Sequence, residues 1–125
     1  SLNDSSTSAH SAVLETPQHH VFYRESTEGF IQDLVLKIKV PMMVTTEDAS
    51  IEVTTDGKLF FLSKRQYELQ IQIPFTFEVT KCTAEFYPLE SVVIVTLPVA
   101  PNPNELQSYQ VPITTQKTTE SLTLL

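Results

Sequence analysis

Residues 67–99 read YELQIQIPFTFEVTKCTAEFYPLESVVIVTLPV, and their beat of two constrains the fold more than any other feature. Tyr67, Leu69, Ile71 and Ile73 alternate with Glu68, Gln70 and Gln72, which places apolar groups on one face of a strand and polar groups on the other. Val93, Val95 and Leu97 repeat the alternation and stop at Pro98, which has no N–H to give to a ladder. Two long strands with a shorter one between them are predicted, and residues 67–73 read as the central strand.

The upstream chain supplies further strands. Leu34, Leu36, Ile38 and Val40 point one way and Asp33, Lys37 and Lys39 the other, with Val35 as the exception, until Pro41 ends the run. Residues 49–54 alternate again, Ile51 and Val53 against Ser50, Glu52 and Thr54. Asp56-Gly57 follows, a strong hairpin signal that points to a type I′ turn with positive φ at both residues. The returning strand, residues 58–63, carries Leu59, Phe60, Phe61 and Leu62 in succession. Both of its faces are therefore apolar, so it is either covered on both sides or exposes a sticky surface. His20, Val21, Phe22 and Tyr23 suit a first edge strand, and Phe75, Phe77 and Val79 suit a loop anchored to the core.

No convincing helix is visible. Short strands at roughly even spacing predict an all-β fold, an antiparallel two-sheet β-sandwich of about seven strands. Residues 1–18 read as a disordered leader or linker and 19–100 as the sandwich. Residues 101–125 read as a Pro/Ser/Thr-rich extension in which Tyr109, Val111 and Ile113 add one edge strand.

Charge and composition remove several functions. The net charge is −7, from 15 acidic and 8 basic residues, which disfavours nonspecific binding to nucleic acid or anionic membranes. The single cysteine, Cys82, excludes a disulfide framework and makes a reducing compartment the default. The chain has no apolar run of about 18 residues or more, and its first residues lack the pattern of a signal peptide. With glycine only at positions 29 and 57, neither a phosphate-cradling loop nor a dinucleotide fingerprint can be written.

Searching for reaction chemistry yields bland answers. His19-His20 would point in different directions on a strand and lacks a third ligand at metal spacing, so no metal or cofactor is expected. Cys82 beside a strand suits a buried small hydrophobe better than a nucleophile. The carboxylates are scattered and mostly alternate outward. No catalytic residue is assigned. Lys58, Lys64 and Arg65 form the one basic cluster, which a solvated turn explains; beside Phe60, Leu62 and Tyr67 it equally suits a grip on an acidic, apolar peptide. Such a peptide would add as an extra strand at an exposed edge.

Residues 67–99 resemble the closing half of the CS domain, the β-sandwich of Hsp90 cochaperones, and most of all that of the C-terminal CS domain of the PIH family, and the likeness covers roughly Asp33 to Val99. The similarity rests on the strand led by Tyr67, on Pro74-Phe75, on Ala84 and Phe86, and on Val95-Thr96-Leu97-Pro98-Val99. LVLKIKVP and ASIEVTTDGKLFFLS agree in layout. The family often has Gly where Cys82 or Thr83 stands, and Asp where Tyr87 stands.

The resemblance implies a non-catalytic adaptor that binds the tail of a tetratricopeptide cochaperone. Through that partner it would link Hsp90 and RuvB-like ATPases to client assembly: snoRNPs, polymerases, kinases of the phosphatidylinositol-3-kinase-like group, or dynein arms. Cytoplasm, with the nucleus as a second compartment, is the matching location. The competing reading is a small heat-shock-type holdase of similar fold, although the tail lacks an obvious Ile-x-Ile/Val plug; Val111-Pro112-Ile113 comes nearest.

Overall fold

A computed structural model describes residues 14–100 and 108–116. Nine strands follow one another: β1 (His19–Glu25), β2 (Ile31–Lys39), β3 (Ala49–Thr54), β4 (Lys58–Ser63), β5 (Tyr67–Gln72), β6 (Thr83–Tyr87), β7 (Val92–Pro98), β8 (Ser108–Gln110) and β9 (Ile113–Thr115). They build a five-stranded sheet in the order β1-β2-β7-β6-β9 and a four-stranded sheet in the order β5-β4-β3-β8. The predicted two-sheet β-sandwich is therefore the fold. Its one helical piece among the described residues is a 3₁₀ turn at Val79–Lys81.

Period two does the packing. Leu34, Leu36 and Ile38 of β2, Val93, Val95 and Leu97 of β7, and Ala84 and Phe86 of β6 form one inner face. Across from them lie Ile51, Val53, Leu59, Phe61, Tyr67 and Leu69 of the smaller sheet. Burying each of the larger of these side chains contributes about 1.5–3 kcal/mol. Phe77 and Val79 plug the core from the loop, as their alternation suggests, and Phe77 forms an isolated bridge with Val99.

Four features differ from the sequence expectation. First, β5 is an edge strand, not a central one; β7 occupies the middle of the larger sheet. The outward row of β5, Glu68, Gln70 and Gln72, is exposed and polar, as an edge strand tolerates.

Second, the hairpin after β3 does not use a type I′ turn. Gly57 has φ +94°, whereas Asp56 is not in the positive-φ region. The Gly57 amide donates to the Thr54 carbonyl at 3.1 Å, which is a three-residue loop with glycine at the left-handed position.

Third, residues 108–115 form two short strands rather than one. β8 pairs with β3, and the Val111 amide donates to the Ile51 carbonyl at 2.9 Å. Pro112 has no donor to continue, so the chain leaves that sheet and β9 joins β6 in the other, as a parallel pair. One segment thus borders both sheets on the same side of the sandwich.

Fourth, the segment read as a leader reaches into the fold. Residues 1–13 lie outside the described residues. Glu15 bridges Tyr67: its amide donates to the Gln66 carbonyl and its carbonyl accepts from the Glu68 amide. Pro17 cannot supply the next donor of this parallel ladder, so the chain crosses to the other sheet and enters β1. A polar stretch without period carries no hint of so brief a contact.

Candidate functional site

β4 presents its two faces as its sequence requires. Leu59 and Phe61 are buried, while Lys58, Phe60 and Leu62 lie in one outward row. The register sets Phe60 between Glu52 and Gln70, and Leu62 between Ser50 and Glu68. Leu62 is 37% exposed. The row runs up to the connector that holds Lys64 and Arg65, both exposed. There the Gln66 amide donates to the Ser63 carbonyl at 3.0 Å, and Arg65 sits at φ 69°. The Lys64 amide is held by the Asp48 carbonyl at 2.9 Å.

Tyr67 does not share that surface. Its ring is 2% exposed and belongs to the core, and its phenol oxygen accepts the Met42 amide at 3.0 Å. Phe60 and Leu62 therefore share an outward row that ends near Lys64 and Arg65, Lys58 stands at the far end of the same strand, and Tyr67 lies beneath in the core. Beside them runs the β5 edge. Glu15 occupies it at Gln66 and Glu68 only, so the outward backbone groups of Gln70 and Gln72 have no strand partner among the described residues.

Cys82 and His19 have structural places. Cys82 is buried; its Sγ lies 3.5 Å from the Glu78 carbonyl oxygen, and burial pushes its thiol up to about 12. A thiol so held is not a nucleophile near neutral pH. His19 Nδ1 lies 2.9 Å from the Pro17 carbonyl oxygen. Among the described residues no three His, Cys, Asp or Glu side chains gather as a metal site would require. No helix among them is long and apolar enough to cross a membrane.

A recess of about 360 Å³ lies at one end of the sandwich, lined by Glu15, Pro17, Lys39, Tyr67, Glu90 and Ser91. Glu90 Oε1 is buried there without a hydrogen-bond partner. Nothing in the sequence pattern signals it, because its walls come from four separated segments. A second, smaller apolar cluster lies on the outward side of the larger sheet: Val35, Tyr87, Val92 and Ile94. Val35, the one residue of its strand that broke the alternation, was its signal.

Two sheets packed face to face over one apolar core define a β-sandwich. The family model for the PIH1 CS-like domain matches residues 7–100, and the chain belongs to that family. Protein kintoun of Bos taurus is 37% identical over 81 residues, which cover 62% of this chain and 10% of that protein. The chain thus spans about a tenth of the length of the curated relative it matches. Family membership supports a cochaperone-related adaptor role in general.

Proposed function

We propose that this domain is a non-catalytic cochaperone adaptor that receives the tail of a tetratricopeptide cochaperone. The observation that carries the reading is membership of the PIH1 CS-like family over residues 7–100. The placement rests on the outward row Lys58, Phe60 and Leu62 and on Lys64 and Arg65 above it. An extended tail adds along the β5 edge at Gln70 and Gln72, with backbone bonds for affinity and alternate side chains for choice. The free stretch of that edge lies opposite Phe60 and Lys58, and the tail runs on over Leu62 to set acidic groups against Lys64 and Arg65, past the part of the edge that Glu15 occupies. Bound so, the domain links Hsp90 and RuvB-like ATPases to assembly of client complexes, in the cytoplasm or nucleus: snoRNPs, polymerases, phosphatidylinositol-3-kinase-like kinases or dynein arms.

Arg65 adds a physical reason for this placement. Left-handed backbone costs a residue with a Cβ about 1–2 kcal/mol. Strain of this kind is kept where function asks for the side chain. Calorimetry with a tetratricopeptide cochaperone tail tests the site: reversing the charges of Lys64 and Arg65 weakens binding about tenfold or more. An unchanged affinity rejects the placement. Large polydisperse assemblies in light scattering would favour a holdase instead.

A further inference from the structure

β1 is the open edge of the larger sheet, on the opposite layer from β4 and β5. It pairs with β2 along its whole length and with nothing on its other side among the described residues. Six of its seven residues are exposed. Val21, Phe22 and Tyr23 are 38%, 50% and 48% exposed, and Phe30 and Ile31, just past the hairpin, 70% and 41%. A strand of this length with bare apolar residues and no proline is what folded proteins ordinarily blunt or cover.

The hairpin is also closed by its own hydrogen bonds. Ser26 Oγ accepts the amides of Glu28 and Phe30, each at 3.2 Å, and the Ser26 amide donates to the Phe30 carbonyl at 2.7 Å. Tyr23 packs edge-on against Phe75, with ring centroids 6.4 Å apart.

The ladder says which backbone groups are offered. The Lys39 amide donates to the Gln18 carbonyl, and the register pairs His20 with Lys37, Phe22 with Val35 and Arg24 with Asp33. In an antiparallel ladder the bonded pairs alternate. His20, Phe22 and Arg24 therefore bond to β2, and His19, Val21 and Tyr23 turn their N–H and C=O groups outward.

The outward face beside this edge carries Lys37 and Lys39, while Glu25 and Glu28 stand at the hairpin end. His20, Phe22 and Arg24 share the outward face with Lys37 and Lys39. The one carboxylate in that part of the face, Asp33, is already paired with Arg24 at 2.8 Å. A second copy would bring another net charge of −7 and would set this same cationic row beside itself. An acidic strand meets complementary charge instead.

We propose that the free edge of β1 is a second docking site, which takes an extended segment of another protein carrying central apolar residues flanked by carboxylates. The apolar residues cover Val21, Phe22 and Tyr23, and carboxylates at the His20 end face Lys37 and Lys39. This site does not depend on the tail reading at β4 and β5, and its test uses neither that tail nor those residues.

The probe is an acetylated heptapeptide of three β-branched apolar residues flanked on each side by two glutamates; its lysine-flanked counterpart is the control. Titrated into the full chain and followed by amide NMR, the acidic peptide shifts the signals of His19, Val21 and Tyr23. It binds at least tenfold more tightly than the control, and the gap narrows with salt. Val21→Pro removes an outward donor without touching the β2 ladder, and weakens binding at least tenfold while the circular dichroism spectrum is kept. Lys37→Glu provides an independent check that leaves the backbone intact, and it weakens the acidic peptide several-fold. Shifts confined to β5, equal affinity of the two peptides, or full binding by Lys37→Glu overturns the proposal. So does a concentration-dependent dimer in sedimentation that Val21→Pro dissolves, which would make the occupant a second copy.

Discussion

The phenol oxygen of Tyr67 accepts the amide of Met42 at 3.0 Å, across 25 residues of chain. Around it, Ser63 Oγ donates to Gln66 Oε1 at 2.9 Å, and Gln66 Nε2 donates to the Met42 carbonyl at 2.7 Å. Met42 is thus held through both of its backbone groups by the turn that carries Lys64 and Arg65. Tyr67→Phe leaves the ring in place and strands the Met42 amide. A lost hydrogen bond of this kind costs about 0.5–1.5 kcal/mol, and urea unfolding should show a lower midpoint with an unchanged slope. Affinity for a tail at Lys64 and Arg65 should change far less than on reversing their charges, because Tyr67 itself is covered.

Gly57 is fixed by geometry at two points. Its φ of +94° strains any residue with a Cβ, and a Cβ built there would lie 2.9 Å from the Ile73 carbonyl oxygen. The Ile73 amide also donates to the Gly57 carbonyl at 2.6 Å, so the two backbones have little room to part. Gly57→Ala is expected to cost about 2 kcal/mol or more, the left-handed penalty plus the contact. Thermal unfolding measures it, and a loss near zero would show that the loop adopts another turn without cost.

These two residues also mark where the sequence was readable. Asp56-Gly57 announced a hairpin, and the hairpin forms between β3 and β4. The turn type was not legible, because a three-residue loop with one left-handed glycine satisfies the same dipeptide. Tyr67 carried the beat of a strand, and β5 is there, but alternation is the same for edge and middle strands. Order within a sheet depends on pairings distant in sequence, and local periodicity contains no information about them.

The candidate site divides along the same line. Leu59 to Leu62 put apolar residues on both faces of β4, so an outward Phe60 and Leu62 followed from period two. The β1 hairpin was visible as an apolar patch. Its exposure depended on whether another strand lies beyond it, and its cations came from β2 across the ladder.

Glu85 is paired with Ile94 on the outward face of the larger sheet, and Tyr87 lies two residues along the same row. Burial raises the Glu85 carboxyl above its ordinary value. The folded state then holds that proton more tightly than the unfolded chain. This contribution is present below the ordinary carboxyl range and is lost as pH rises through the folded value. At pH 7 the ionised Glu85 therefore opposes folding, and Glu85→Gln should be the more stable protein. The advantage should shrink as pH falls into the carboxyl range. Tyr87 provides a second readout: burial first, and the Glu85 charge next, hold its phenol above the usual value. Glu85→Gln should lower the Tyr87 titration midpoint, followed by NMR, without returning it to that of free tyrosine. An unmoved midpoint would mean that the two groups do not sense each other.

Arg65 lets stability and function be separated at one position. Its φ of 69° is the left-handed region, where glycine is unstrained. Arg65→Gly relieves about 1–2 kcal/mol of strain, and glycine's greater freedom in the unfolded chain takes back about 0.4–1 kcal/mol. The substitution should therefore raise stability by up to about 1.5 kcal/mol, while it removes one of the two adjacent charges proposed to hold the tail. Denaturant unfolding and tail calorimetry on the same sample decide between a kept arginine and an indifferent one. A more stable domain with weaker tail binding supports a strained residue retained for its charge. A more stable domain with undiminished binding would show that the strain at Arg65 serves no partner at this turn.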